Sequence, residues 1–332
     1  MTLKIAINGF GRIGRNIVRA VLEQGRDDIE IIAINDLGPV DYNAHLLEFD
    51  TVHGHLAHDI TVCDDTIIAG TQRMKATAES DPAKLPWGDV DIVMECTGAF
   101  TARDKAAKHL ENGAKRVLVS APSEGADRTV VYGVNHRQMT RADKIVSNAS
   151  CTTNCLAPVA KVLNDAIGIS RGFMTTIHSY TGDQPTLDRM HKDLYRARAA
   201  ATNIIPTTTG AARAVGLVLP ELDGKLDGTA IRVPTPNVSV VDFTFDASRD
   251  TSVDEINAAI SAAANGPLKG ILAYSERPLV SSDYNHHPAS SIFAADQTRV
   301  LQGSMCRVLA WYDNEWGFSC RMADVAVAMG RL

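Results

Sequence analysis

The nine residues SNASCTTNC (147–155) place two cysteines, Cys151 and Cys155, four apart between the apolar segments KIV and LAPVAKVL. Four uses are open to a thiol there: a catalytic nucleophile, half of a disulfide, a metal ligand or a small core residue. If TTNCLAPVAKVLNDAIG forms a helix, Cys155 lies one turn deeper on the face of Cys151, a spacing that disfavours a bridge between them. A helix starting just after Cys151 sets the thiol at the positive end of the helix dipole, beside backbone N–H groups without helical partners, and both favour thiolate. A thiol nucleophile also needs a base. His178, 27 residues on at the end of the strand-like run MTTIH, is the natural candidate.

Bulk properties remove several function classes. The sequence has 332 residues, more than one ordinary core holds, so two domains are expected. Hydrophobic residues at 45% and charged residues at 22% fit a globular chain and not a disordered one. No apolar run approaches the ~18–20 residues that span a bilayer, and MTLKIAINGFGRIGRN lacks the marks of an export signal, so a cytoplasmic protein with no membrane partner is expected. A net charge of −6 argues against a nucleic-acid surface but leaves room for a local basic pocket that holds a small anion. The six cysteines do not read as a disulfide framework; Cys63, Cys96, Cys306 and Cys320 read as small core residues. Cys155 reads as support beneath the nucleophile. A metal centre of Cys151, Cys155 and His178 lacks a fourth ligand, and His53, His55 and His58 of HGHLAH sit in a polar connection, so no metal is expected.

The elements that must position these groups change style along the chain. Apolar strands (3–7, 29–34, 91–96, 116–120, 129–134, 144–148) alternate with helical stretches (11–24, 41–49, 101–112), the pattern of a doubly wound parallel sheet. In it, INGFGRIGRN supplies Gly9, Gly11 and Gly14 as G-x-G-x-x-G between a strand and a helix. Such glycines permit a tight turn, close approach of a pyrophosphate and close helix packing. The second strand ends in Asp36, 22 residues beyond Gly14, where a carboxylate accepts from adenosine ribose hydroxyls. Beyond about residue 170 longer strand-like runs dominate, with helices at 210–218 and 253–264 and a terminal amphipathic helix bearing Met322, Val325, Val327 and Met329. The fold class is therefore α/β: a parallel-sheet dinucleotide-binding domain (1–150), an α+β catalytic domain with a mixed or antiparallel sheet (151–315), and a C-terminal helix (316–332) packing back on the first domain.

A dinucleotide, a thiolate and an imidazole together imply oxidation of an aldehyde. A bare aldehyde does not easily give up hydride; its thiol adduct does, leaving a thioester that a second nucleophile must resolve. SNASCTTNCLAP, with INGFGRIGR, HSYTGDQ, RARAAATNIIPTTTGAA, RVPTPNVSVVD and WYDNEWGFS, closely resembles the phosphorylating glyceraldehyde-3-phosphate dehydrogenases over essentially the whole chain. The resemblance implies Cys151 as nucleophile and His178 as the base that also helps stabilise the oxyanion. It implies that Thr181, Asp183 and Arg232 hold the substrate's own phosphate or its hydroxyls. Ser150, Thr152, Thr209 and Gly210 match the pocket for attacking inorganic phosphate, with Arg198 on the loop that closes it. Asn314 matches the residue that orients the nicotinamide carboxamide, and Arg12, Ile13, Thr97 and Ser120 line the rest of the cofactor. It further implies a homotetramer in which the loop at about 179–203 reaches a neighbour's cofactor.

The chain departs from the family pattern at Phe318, where many members carry Tyr, at Ser80, which replaces an Arg often found by the adenosine, and at Tyr195. None touches the thiol chemistry. An erythrose-4-phosphate dehydrogenase would keep Cys151 and His178 but alter the phosphate loop, and here TTTGAA is complete. A dinucleotide-binding interaction protein without turnover would not need both anion pockets. For the cofactor, Asp36 pairs with a ribose 2′-hydroxyl and repels a 2′-phosphate, which favours NAD. Arg189 and Met190 stand where NAD-restricted relatives often carry Leu-Pro; Arg189 reads first as a solvated surface residue, with partial neutralisation of a 2′-phosphate across a subunit boundary as the alternative. Steady-state kinetics should show strong preference for NAD with residual NADP activity, and Asp36→Ala should raise the NADP share. A wild-type kcat/KM for NADP equal to that for NAD would contradict the repulsion at Asp36.

Overall fold

The structure is a computed structural model that describes residues 2–332. Two compact units divide it: one holds the residues up to Tyr132 together with His136–Ser150 and Ser319–Leu332, the other Gly133–Asn135 and Cys151–Phe318.

The first unit is built on a nine-stranded sheet. In spatial order its strands are Arg128–Thr129, Ile145–Ser147, Arg116–Val119, Ile92–Glu95, Leu3–Asn8, Ile29–Asn35, Gln72–Thr77, Thr66–Ala69 and Ile60–Cys63. The six strands from Arg128–Thr129 to Ile29–Asn35 run parallel, as does Gln72–Thr77 beside Ile29–Asn35. In the central strand Ile5, Ala6 and Ile7 are all buried, which is why it reads as a continuous apolar run. Three strands over 60–77 close the far edge as antiparallel hairpins that the sequence reading leaves out. Their turns are marked by left-handed backbone at Asp64 (φ 53°) and Gly70 (φ 54°), the conformations that two-residue hairpin turns demand. The strand expected at 129–134 shrinks to Arg128–Thr129, and the helix expected at 101–112 divides into Arg103–Ala106 and Lys108–Glu111.

Two glycines of the fingerprint are fixed by sterics. Gly9 has φ 93°, and a Cβ there would lie 2.6 Å from the backbone nitrogen of Thr97; a Cβ on Gly14 would lie 2.2 Å from the carbonyl oxygen of Gly9. Gly11 differs: a Cβ on it would meet nothing within 4 Å, so its surroundings stay open for a ligand. The helix Arg12–Glu23 begins directly after it without any side-chain cap. The terminal helix Trp316–Gly330 contributes its residues from Ser319 to this unit, where Asp324 meets Arg26 at 2.6 Å and Met322, Val325 and Met329 are fully buried.

The second unit carries a mixed sheet in the spatial order Ile205–Thr208, Leu226–Val233, Ile169–Ser179, Ser239–Ala247, Met305–Tyr312, Ser291–Ala294 and Leu272–Ser275, with Arg299–Leu301 paired to Met305–Tyr312. Ile169–Ser179 runs parallel to Leu226–Val233 and antiparallel to Ser239–Ala247. Period-two alternation buries Met174, Thr176 and His178 on one face of the long strand. The helices Cys151–Ile167, Ala211–Val218 and Val253–Asn265 complete the unit.

Candidate active site

Cys151 is the first residue of the helix Cys151–Ile167, one position earlier than the sequence reading starts it. The chain arrives through Ala149, whose φ of 56° lies in the left-handed region that residues with a Cβ rarely adopt. This turn delivers the thiol to the helix end. The Cys151 Sγ lies 3.6 Å from His178 Nε2. His178 Nδ1 is 2.7 Å from the carbonyl oxygen of Ser179, which only accepts, so Nδ1 carries the proton and Nε2 presents its lone pair to the sulfur.

Neighbouring strands supply the remaining groups through their register. His178 pairs with Arg232 on the parallel strand, and Ser239 pairs with Tyr312 two strands along. Tyr312 lies edge-on to His178 with ring centres 5.9 Å apart, and its hydroxyl meets Thr176 at 2.8 Å and Thr152 at 2.9 Å. Arg232 Nη1 donates to the Ser179 carbonyl at 3.1 Å and to the Thr181 hydroxyl at 2.9 Å, while its Nε is buried without a partner. Thr181 in turn donates to Asp183, which also receives Arg196 at 3.0 Å. An unspent buried guanidinium N–H is a fitting donor for a phosphate or hydroxyl oxygen, while the Thr181 and Ser179 hydroxyls already donate to Asp183 and Asn314.

Burial pushes the Cys151 thiol up from its ordinary range, opposed by the charge of Arg232, by the Thr152 hydroxyl and by the N–H groups at the helix start. Burial, aided by Arg232, lowers His178 to about 3. The sequence reading expects the helix start and His178 to depress the thiol; the helix start is there and Arg232 adds to it, but desolvation outweighs both. Neither group ionises favourably alone. One proton passing from Sγ to Nε2 creates both charges together, and each then compensates the other. Cys155, one turn on, is fully buried with Ser291 Oγ at 3.5 Å and the Ala310 carbonyl at 3.7 Å, and burial raises its thiol to about 12.

Other expected anion ligands are placed differently. The Thr152 hydroxyl is turned to Tyr312, as above, and Arg198 donates to Asp188 at 2.7 Å on the exposed loop. Thr209 Oγ1 accepts from the Ala211 N–H at 3.2 Å, and Gly210 caps the helix Ala211–Val218 with nothing within 4 Å of a Cβ. Ser150 directly precedes the thiol. Asn314 Oδ1 accepts from the hydroxyls of Ser179 at 2.8 Å and Ser239 at 2.9 Å, which leaves its NH2 to donate elsewhere. Ser179, Ser239 and Tyr312 were not legible as site residues, because only the strand register brings them to His178 and Asn314.

In the first unit, a cleft of about 430 Å³ is lined by Gly9, Gly11, Asp36, Ser80 and Thr97 among others. Asp36 accepts from the N–H of Phe10 at 2.9 Å through one oxygen and from that of Gly38 at 3.2 Å through the other, and each oxygen keeps a lone pair. The first-turn N–H groups of Arg12, Ile13 and Gly14 have no carbonyl of their own helix to meet. Arg12 is clamped in a bidentate pair by Asp50, whose burial is outweighed by Arg12 and by the N–H groups of His53 and Val52, holding it at about 2. Ser120 donates its N–H to the Glu95 carbonyl at 3.0 Å. Open glycine backbone, uncapped helix N–H groups and a carboxylate with spare lone pairs fit a dinucleotide.

The family model described as glyceraldehyde 3-phosphate dehydrogenase, NAD binding domain, matches residues 3–103, and that described as glyceraldehyde 3-phosphate dehydrogenase, C-terminal domain, matches residues 150–314. A glyceraldehyde-3-phosphate dehydrogenase of Cereibacter sphaeroides is 70% identical over 332 residues, and one of Xanthobacter flavus is 68% identical over 334, each covering 100% of both chains. One of Geobacillus stearothermophilus is 56% identical over 329 residues, 98% of both.

Limiting iodoacetamide at neutral pH, with the adduct mapped by mass spectrometry, should label Cys151 before the other thiols. Cys151→Ser should remove dehydrogenation by several orders of magnitude, whereas Cys155→Ser should cost about 1 kcal/mol of stability and spare activity. Activity lost through labelling of Cys155 with Cys151 intact would reverse these roles.

Proposed function

The chain belongs to the glyceraldehyde-3-phosphate dehydrogenase family, and from that premise we infer that it oxidises D-glyceraldehyde 3-phosphate to 1,3-bisphosphoglycerate with reduction of NAD and uptake of inorganic phosphate, a reaction of glycolysis and gluconeogenesis. The observation that carries the reading is the Cys151 Sγ at 3.6 Å from a His178 Nε2 whose proton is committed to the opposite nitrogen. His178 takes the thiol proton as Sγ bonds to the aldehyde carbon, and returns it to the oxygen, giving a hemithioacetal. Bound NAD supplies the hydride acceptor. His178 accepts the hydroxyl proton as the carbonyl re-forms, leaving a thioester on Cys151. Attack by phosphate oxygen then breaks the C–S bond and releases the acyl phosphate.

Arg232, with Thr181 and Asp183, holds the substrate's phosphate or hydroxyls in this reading. Ser150, Thr152, Thr209 and Gly210 receive inorganic phosphate, and Arg198 exchanges Asp188 for it when the loop closes. Gly9, Gly11, Arg12, Ile13, Gly14, Asp36, Thr97 and Ser120 hold NAD, and Asn314 receives the carboxamide through its free NH2. A homotetramer is supported by the apolar side chains left exposed on the loop at about 179–203, among them Leu187, Met190, Leu194 and Tyr195. No described helix is long and apolar enough to cross a membrane, and a cytoplasmic site is the location proposed.

Because the thioester needs a second nucleophile, removal of inorganic phosphate should reduce NADH formation to a burst of one equivalent per Cys151, followed by near arrest. Arsenate should restore steady turnover. An unchanged steady rate without either would mean that water resolves the thioester, contrary to the assignment.

A further inference from the structure

One residue behind the lining of the dinucleotide cleft runs a buried polar chain that the reaction above does not use. Trp87 and Glu95 are each 1% exposed and His109 is fully buried. The Trp87 indole N–H, which only donates, lies 2.9 Å from His109 Nδ1. Nδ1 therefore accepts, the imidazole proton resides on Nε2, and Nε2 donates to Glu95 Oε2 at 3.0 Å. The same Oε2 accepts from Asn8 Nδ2 at 2.6 Å, while Oε1 accepts from both the backbone N–H of Thr97, at 2.8 Å, and the Thr97 hydroxyl.

Four donors thus converge on one carboxylate, and two of the residues that supply them line the cleft. Asn8 ends the central strand and accepts through Oδ1 from Asn35 at 2.8 Å. The Thr97 hydroxyl also accepts from the Ala99 N–H at 3.0 Å, which fixes the turn after the strand Ile92–Glu95. The backbone of Gly9 leans on this turn so closely that a Cβ there would lie 2.6 Å from the Thr97 nitrogen. A shift of the Thr97 turn therefore shifts the loop on which the pyrophosphate would rest. Glu95 is tied to both chain segments, and His109, its tautomer locked by Trp87, is the group that keeps the carboxylate in place.

We propose that Trp87, His109 and Glu95 form a positioning relay for the dinucleotide: they touch no ligand, but hold Asn8 and Thr97 at the floor of the NAD cleft and so set cofactor affinity without entering the acyl chemistry. The proposal rests on the NAD-binding reading of that cleft. A merely structural network would instead lower stability and leave affinity alone.

The test compares NAD dissociation constants, from quenching of protein fluorescence, with kcat at saturating NAD and with the apoprotein Tm. His109→Leu, which removes the bond to Glu95, should raise Kd about tenfold, the size of one hydrogen bond to a charged group, with kcat within about twofold. His109→Gln, whose amide can accept from Trp87 and donate to Glu95, should restore Kd to within about threefold of wild type. As a control, Gln72→Met removes a buried acceptor of the Ile31 N–H, 2.7 Å away, and should lower Tm without raising Kd. Should His109→Leu fail to fold, Trp87→Phe removes the indole N–H, with part of the ring volume, and leaves His109 and Glu95 in place; it should still raise Kd, and nitrogen NMR should show that His109 no longer holds a single Nε2–H tautomer. A Kd unchanged in His109→Leu, or in Trp87→Phe where that is the folded variant, overturns the relay. Wild-type protein that fails to bind NAD in the same assay would instead overturn the reading of the cleft.

Discussion

The contact of Cys151 Sγ with His178 Nε2 is the constraint that the second unit is arranged to satisfy. It sets the tautomer requirement, met by the Ser179 carbonyl on Nδ1. It also sets the backbone requirement, met by the left-handed turn at Ala149 that starts a helix on the cysteine itself. The electrostatic requirement is met by Arg232, brought beside His178 by parallel strand register and active on both partners. Burial makes each charge costly alone, so the contact is what brings a thiolate within reach there.

The nucleotide unit depends on a different kind of constraint. Its fingerprint glycines act through excluded volume: side chains on Gly9 and Gly14 would collide with backbone, whereas one on Gly11 would meet nothing within 4 Å. Asp36 and Glu95 then act as acceptors that hold loop N–H groups in place, Asp36 on the cleft and Glu95 behind it. Glycine sterics shape the cleft, and carboxylates keep it in shape.

What the sequence made legible follows the range of the interactions. Gly9, Gly11, Gly14 and Asp36 act through strand–turn–helix geometry within a few tens of residues, and the parallel sheet around them was readable from its apolar runs. Cys151 was readable because a helix start is a local event. The paired tautomer of His178, the approach of Arg232, the hold of Ser179 and Ser239 on Asn314 and the bond from Tyr312 to Thr152 depend on register between strands far apart in the chain, which no local spacing encodes. The edge hairpins over 60–77 were missed for another reason. Their strands are short and half-exposed, and the turn signal at Asp64 is a single non-glycine residue with positive φ. The ionisation of Cys151 needed burial, a property of the folded unit alone.

Ionisation of the Cys151 thiol and the His178 imidazole is, on this geometry, a paired event that moves one shared proton. Its most direct measurement is the pH titration of thiolate absorbance near 240 nm, taken as the difference between proteins with Cys151 and with Cys151→Ser, in wild type and in His178→Asn. With the imidazole gone, the thiol keeps its burial and loses the acceptor of its proton, so the midpoint should move upward by about one pH unit or more. An unchanged midpoint would mean that Cys151 ionises independently of His178, and would contradict the account.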